Sequence, residues 1–105
     1  MKIYVAGPYS TGDPVINTRN AIYAAEELIK KGHIPYVPHL TLLWHIVAPH
    51  DLEFWYEYDQ VWLRFCNAVF RLEGESTGAA NECKVARSIG LPIYLKLEDV
   101  PDAPK

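Results

Sequence analysis

At 105 residues the chain has room for one domain and none for a second, and a composition half apolar and 22% charged is that of a folding sequence, not a disordered one. Ten Lys and Arg against thirteen Asp and Glu leave a formal charge of −3, with the basic residues scattered, which argues against a nucleic-acid polymer as partner. The apolar run at the amino terminus meets Gly7-Pro8 too soon for a signal peptide or a membrane span, and Cys66 and Cys83 lack Cys-x-x-Cys spacing, so a cytosolic protein with reduced core thiols and no membrane partner is expected.

The first element in the chain is a short strand, Ile3 to Ala6, stopped by Gly7-Pro8 and followed by the polar loop Tyr9-Ser10-Thr11-Gly12-Asp13. Asp13-Pro14 supplies an N-cap with proline at the first helical position, with Asn17 as a second possible start. Ala21, Ile22, Ala25, Leu28 and Ile29 then recur at helical spacing, Glu26, Glu27, Lys30 and Lys31 take the other face, and Gly32 closes the helix. Ile34 to Val37 reads as a second strand, bounded by prolines that suit a sheet edge, and His39 follows it directly. Leu40 to His50 is apolar with little periodicity and reads as loop, with at most one helical turn.

From Asp51 the helical period returns: Phe54, Trp55, Tyr58, Val61, Trp62 and Phe65 form a stripe expected to cover the sheet, with Glu53, Glu57, Gln60 and Arg64 opposite and Asp59 at the margin. Ala68 to Leu72 is a third strand, Glu73 to Gly78 a tight polar loop, and Ala79 to Ile89 a third helix ended by Gly90. Leu91 to Leu97 is a fourth strand, and the proline-bearing tail from Val100 to Lys105 is expected to fray. Strands alternating with helices predict an α/β fold: a small three-layer-type sandwich with a parallel sheet of about four strands, flavodoxin-like or Rossmann-like. Ligands of such sheets bind beyond the carboxyl ends of the strands, where the Gly7 to Asp13 loop, the segment opening with His39 and the Glu73 to Gly78 loop all fall.

Within those loops, Gly7 to Gly12 offers small residues and hydroxyls ahead of a helix start, but neither a Gly-x-Gly-x-x-Gly fingerprint nor a Walker lysine. Glu82 falls in what reads as the first turn of the third helix, where unpaired N–H groups and the macrodipole would keep a carboxylate ionised, and Gly78, Ala79 and Ala80 leave space above that helix start. Asp59, between Trp55 and Trp62, is expected to have a raised pKa through desolvation. Two carboxyls in opposed environments suit glycosyl transfer, one charged at the anomeric carbon and one handling the proton. His33, His39, His45 and His50 match no metal-ligand signature, so no metal or other cofactor is implied; His39, at a strand end, is the one expected to meet a ligand. Small size and aromatic density around Phe54 to Phe65 predict a homodimer or higher homo-oligomer.

The opening Lys2-Ile3-Tyr4-Val5-Ala6-Gly7-Pro8-Tyr9-Ser10, the pair Asp59 and Asn67, and the segment Ser76-x-Gly78-x-x-x-Glu82 together resemble the nucleoside 2-deoxyribosyltransferase superfamily, from Lys2 to about Tyr94. Among its members the chain is most similar to the small bacterial and phage branch and to deoxynucleoside 5′-monophosphate N-glycosidases. The resemblance implies cleavage or transfer of the N-glycosidic bond of a nucleoside or nucleotide through a covalent glycosyl intermediate. Glu82 takes the place of the nucleophile and Asp59 that of the acid that assists the leaving base. Tyr4 and Gly7 take positions lining the sugar pocket, Pro8, Tyr9 and Ser10 continue that loop, Ser76 takes a position where nucleotide-cleaving members carry serine, and Gly78 is expected beside it at the substrate. It also implies oligomers whose sites are completed by a neighbouring subunit. The alternative is a non-catalytic nucleotide-binding or signalling module on the same fold.

Overall fold

The alternation of one short strand organises the molecule, whose structure, a computed structural model, describes residues 1–104. In β1 (Lys2–Ala6), Ile3 and Val5 belong to the apolar cluster on one side of the sheet and Tyr4 and Ala6 to that on the other, and all four are fully buried. A strand buried on both faces is a central strand. Accordingly β1 lies inside a four-stranded parallel sheet of order β2-β1-β3-β4, with β2 at Ile34–Tyr36, β3 at Ala68–Arg71 and β4 at Ile93–Tyr94. The α/β class read from the sequence is the one observed.

Helix α1 (Pro14–Lys30) starts as its sequence dictates: Asp13 Oδ1 accepts from the Val15 N–H at 2.9 Å, and Pro14 occupies the first turn. Ala21, Ala24, Ala25 and Leu28 pack on Ile3, Val5, Ala68 and Phe70, while Ile22 and Ile29, expected on that stripe, are exposed. On the opposite face α3 (Leu52–Arg64) and α4 (Thr77–Ser88) bring Leu63, Ala79, Cys83 and Ala86 onto Tyr4, Ala6 and Val69. Helices on both sides of the sheet give three layers. Cys66 and Cys83 are buried free thiols.

Several segments differ from their sequence readings. Leu40 to His50 is loop only from Ala48 on: a 3-10 turn (Pro38–Leu40) runs into α2 (Thr41–Val47), and because no residue of α2 is buried, packing has written no period into its sequence. The aromatic stripe of α3 divides, with Trp55 buried but Phe54, Val61, Trp62 and Phe65 exposed, and the fully buried Leu63 lies outside the predicted stripe. The expected fourth strand shortens to Ile93–Tyr94, its end becoming a 3-10 turn at Leu97–Asp99. Beyond it the tail is pinned through Ala103. Val100 is buried, Lys31 Nζ donates to its carbonyl at 3.1 Å, and the Ala103 N–H donates to the Lys31 carbonyl at 2.8 Å; Lys105 lies outside the described residues. Among the described residues no helix is long and apolar enough to cross a membrane.

Strand order decides where a ligand can approach. β2 follows β1 on one side and β3 follows on the other, so the direction of winding reverses between β1 and β3, and in parallel sheets that reversal opens a crevice beyond the strand ends. Here the chains leave β1 and β3 in close contact: the Leu72 N–H donates to the Ala6 carbonyl at 2.8 Å, and a Cβ on Gly7 would stand 2.8 Å from that of Leu72. Only glycine fits there without a shift of Leu72.

Candidate active site

Tyr4 sends its side chain from the centre of the sheet toward α4, where its hydroxyl donates to Glu82 Oε2. Helix α4 begins earlier than its sequence suggests, because Ser76 Oγ accepts from the Ala79 N–H at 3.1 Å and caps it. Glu82 therefore lies in the second turn, and the helix terminus does not hold it ionised as expected. Burial instead pushes its carboxyl up to about 7, opposed by the Tyr4 hydrogen bond and by the positive charge of Arg71. Tyr4, buried against Glu82 and Asp59, has its own pKa raised well above the usual phenol value.

Asp59 reaches the same region from α3. Tyr36, at the end of β2, donates to Asp59 Oδ1 across 3.5 Å. Burial, reinforced by the charge of Glu82, lifts Asp59 to about 7, the direction expected from its aromatic surroundings, while the Tyr36 hydroxyl pulls the other way. Tyr4 and Tyr36 are register partners with ring centroids 5.6 Å apart, and Tyr36 stacks in turn on Trp62 at 5.7 Å and 22°. The site thus holds two desolvated carboxyls, each hydrogen-bonded by a tyrosine. Such a pair retains a proton near neutrality and presents one acid and one base at the same pH.

A second cluster forms under the loop after β1. His39 was expected to meet a ligand but is 3% exposed, and its Nε2–H donates to the Pro8 carbonyl at 2.9 Å, so it supports the loop from below. Burial lowers its pKa, and its Nδ1 is buried without a partner among the described residues. Tyr9 is half-buried with its ring 5.9 Å from that of His39, and Asn17 Nδ2 donates to the Tyr9 carbonyl at 2.9 Å. Ser10 and Gly78 are exposed, and Gly78 has open space where a side chain would stand, with Ser76 Oγ nearest at 3.9 Å. Asn67, eight residues after Asp59, lies at the opposite end of the strands, where its Oδ1 accepts from the Lys2 N–H at 2.8 Å.

The structure thus gathers Tyr4, Asp59 and Glu82 at one place, sets Gly7, Pro8, Tyr9 and His39 in a neighbouring loop cluster, and leaves Ser76 and Gly78 at the start of α4. Tyr36 and Arg71 are additions that sequence reasoning missed. Arg71 carried a legible signal, a lone cation ending an apolar strand before a glycine loop; its guanidinium donates to the Leu72 carbonyl and, at 2.8 Å, to that of Gly74. Two open grooves flank the site: one of about 390 Å³ beyond β3 and β4, bordered by Pro8, Asn17 and Arg71, and one of about 340 Å³ bordered by Tyr36, Trp44 and Tyr58. Glu82 lines neither. The other histidines are dispersed, His33 on the Pro101 carbonyl, His45 on the Trp55 indole and His50 stacked on Phe54, and among the described residues no three His, Cys, Asp or Glu side chains converge as a metal site.

Residues 1–95 match the family model described as "Domain of unknown function (DUF4406)". Among solved structures, the fold is similar to that of a 2-deoxyribosyltransferase from the psychrotolerant bacterium Bacillus psychrosaccharolyticus, with a TM-score of 0.67 and 20% identity over 89% of this chain and 69% of that one. No curated protein matches the sequence.

Proposed function

Because the chain belongs to the DUF4406 family, whose description assigns no reaction, we propose its activity from the site and from the fold it shares with a deoxyribosyltransferase: it cleaves or transfers the N-glycosidic bond of a (deoxy)nucleoside or its 5′-monophosphate. The observation that carries this reading is that Glu82 and Asp59, partly desolvated and hydrogen-bonded by Tyr4 and Tyr36 respectively, lie on one side of the sheet close enough for the charge of one to act on the other.

In the first step a Glu82 oxygen forms a bond to C1′ as the bond from C1′ to the base nitrogen breaks, and Asp59 gives its proton to the departing base. Water or a second base then attacks C1′, its proton passes to Asp59, and Glu82 leaves as the free carboxylate. The charge of Arg71 and the Tyr4 hydroxyl favour the ionised nucleophile, while burial and the nearby Glu82 charge favour a protonated Asp59. Gly7, Pro8, Tyr9 and Ser10 form the wall for the sugar or its phosphate, with Ser76 and Gly78 across the crevice. His39 serves that wall indirectly, through Pro8.

Incubation with a panel of nucleosides, deoxynucleosides and their 5′-monophosphates tests the proposal by release of free base. Wild-type protein releases base from at least one of them, and Glu82→Ala lowers that rate by at least roughly 10³-fold. No base from any substrate with folded protein overturns the reading; release that survives Glu82→Ala overturns the nucleophile. The exposed Leu43, Trp44, Ile46 and Val47 of α2 and Phe65 after α3 support the further proposal that a second copy covers this face, which light scattering tests by showing a dimer or larger particle instead of a monomer.

A further inference from the structure

We infer that Tyr36 is a positioning residue for Asp59: its hydroxyl, placed by strand register and aromatic stacking, donates to the Asp59 carboxyl and orients it for its part in proton transfer. The inference rests on the reading of Asp59 as the proton-handling acid. Parallel pairing puts Tyr36 opposite Tyr4, and both side chains lie on the α3–α4 side of the sheet. Each hydroxyl then meets a carboxyl from a different helix, Tyr4 that of Glu82 on α4 and Tyr36 that of Asp59 on α3. Trp62, on the turn after Asp59, stacks on the Tyr36 ring, so α3 is tied to β2 at two points and the ring has little freedom to move its hydroxyl away.

What separates the two couples is their support. Glu82 has two neighbours that favour its charged form, the Tyr4 hydroxyl and Arg71. Asp59 faces Glu82 from α4 and Tyr36 from β2, with Tyr4 beyond on β1, and Tyr58 and Cys66 act on Tyr36 itself. Among the described residues none of the groups acting on Asp59 is a cation, and Tyr36 alone opposes its neutralisation. The phenol therefore holds the lever on this acid, and Tyr36 is itself held protonated by burial and by the adjacent Asp59 charge, so it remains a donor across the working pH range.

The test is a carboxyl 13C NMR titration of Asp59 and Glu82 in the substrate-free protein, in wild type, Tyr36→Phe and the control Tyr58→Phe, with a pH–rate profile alongside. Phenylalanine keeps the ring and its stacking while removing the donor. Asp59 in Tyr36→Phe should titrate about half to one pH unit higher, Glu82 should move less, and the Asp59 limb of the rate profile should shift the same way with kcat changed more than KM. Tyr58→Phe should leave Asp59 in place. An unchanged Asp59 midpoint in Tyr36→Phe, or an equal shift in Tyr58→Phe, overturns the inference. Should Tyr36→Phe fail to fold, 3-fluorotyrosine at position 36 is the equivalent probe: a stronger donor that should lower the Asp59 midpoint, and an unmoved midpoint overturns the inference equally. Because the titration needs no turnover, absence of base release would sink the proposed reaction and leave this result standing.

Discussion

On the α1 side of the sheet, Ile3, Val5, Ala68 and Phe70 meet Ala21, Ala25 and Leu28, and that contact is wholly apolar. On the α3–α4 side, Tyr4 of β1 and Tyr36 of the neighbouring β2 reach Glu82 and Asp59, so ionisable groups lie beside Leu63, Val69 and Ala86. Both layers have the same architecture, yet they spend burial differently. The first converts lost solvent contact into stability, at about 25 cal/mol per Å² of apolar surface. The second uses the same exclusion of water to keep two acids from ionising freely, which opposes folding at high pH and is the physical condition for proton transfer near neutrality.

The largest test of this contrast is the pH dependence of stability. Asp59 and Glu82 both have folded pKa values of about 7, above their unfolded values, so the native state holds protons that the unfolded chain has lost. Their contribution is fully present below the unfolded carboxyl pKa and is lost as pH rises through about 7. Urea unfolding should therefore show wild type losing about 3–5 kcal/mol more than the Asp59→Asn/Glu82→Gln double variant between low and high pH across that window. Equal pH profiles would mean that the polar face is as indifferent to protons as the apolar one.

Leu28→Ala makes the complementary cut. It should lower stability by about 3 kcal/mol at every pH, by lost transfer energy and a residual cavity, without changing the pH slope. A changed slope would couple the two faces. A smaller effect is expected at the start of α4: Ser76→Ala removes the acceptor for the Ala79 N–H and should cost about 1 kcal/mol in chemical denaturation. If its loss of base release greatly exceeds that of stability, Ser76 touches substrate as well as capping the helix.

Local chemistry made the α1 side readable. Asp13-Pro14 announces a helix start, Gly32 with its positive φ of 89° announces the end, and Leu28 keeps a helical period because it packs on a sheet. The same logic fails for α2, where Thr41–Val47 buries nothing and carries no period. It fails by two residues at α4, because Ser76 caps a helix that starts at Thr77 where the apolar pattern placed the start at Ala79, and that shift removed Glu82 from the helix terminus. The tail was misread for want of long-range information: burial of Val100 and the contacts of Val100, Pro101 and Ala103 with Lys31, Gly32 and His33 hold it.

By itself the sequence determined the strand–helix alternation and the glycine at the β1 exit, because each is written in period or backbone freedom within a few positions, whereas the choice of Glu82 and Asp59 rested on the family resemblance of the whole chain. Tertiary structure alone decided that Tyr36 stands beside Tyr4, that Arg71 acts on Glu82, and that burial raises the Glu82 carboxyl where a helix terminus was expected to keep it ionised. Register, burial and charge coupling join residues tens of positions apart, and they come into being only when the sheet closes.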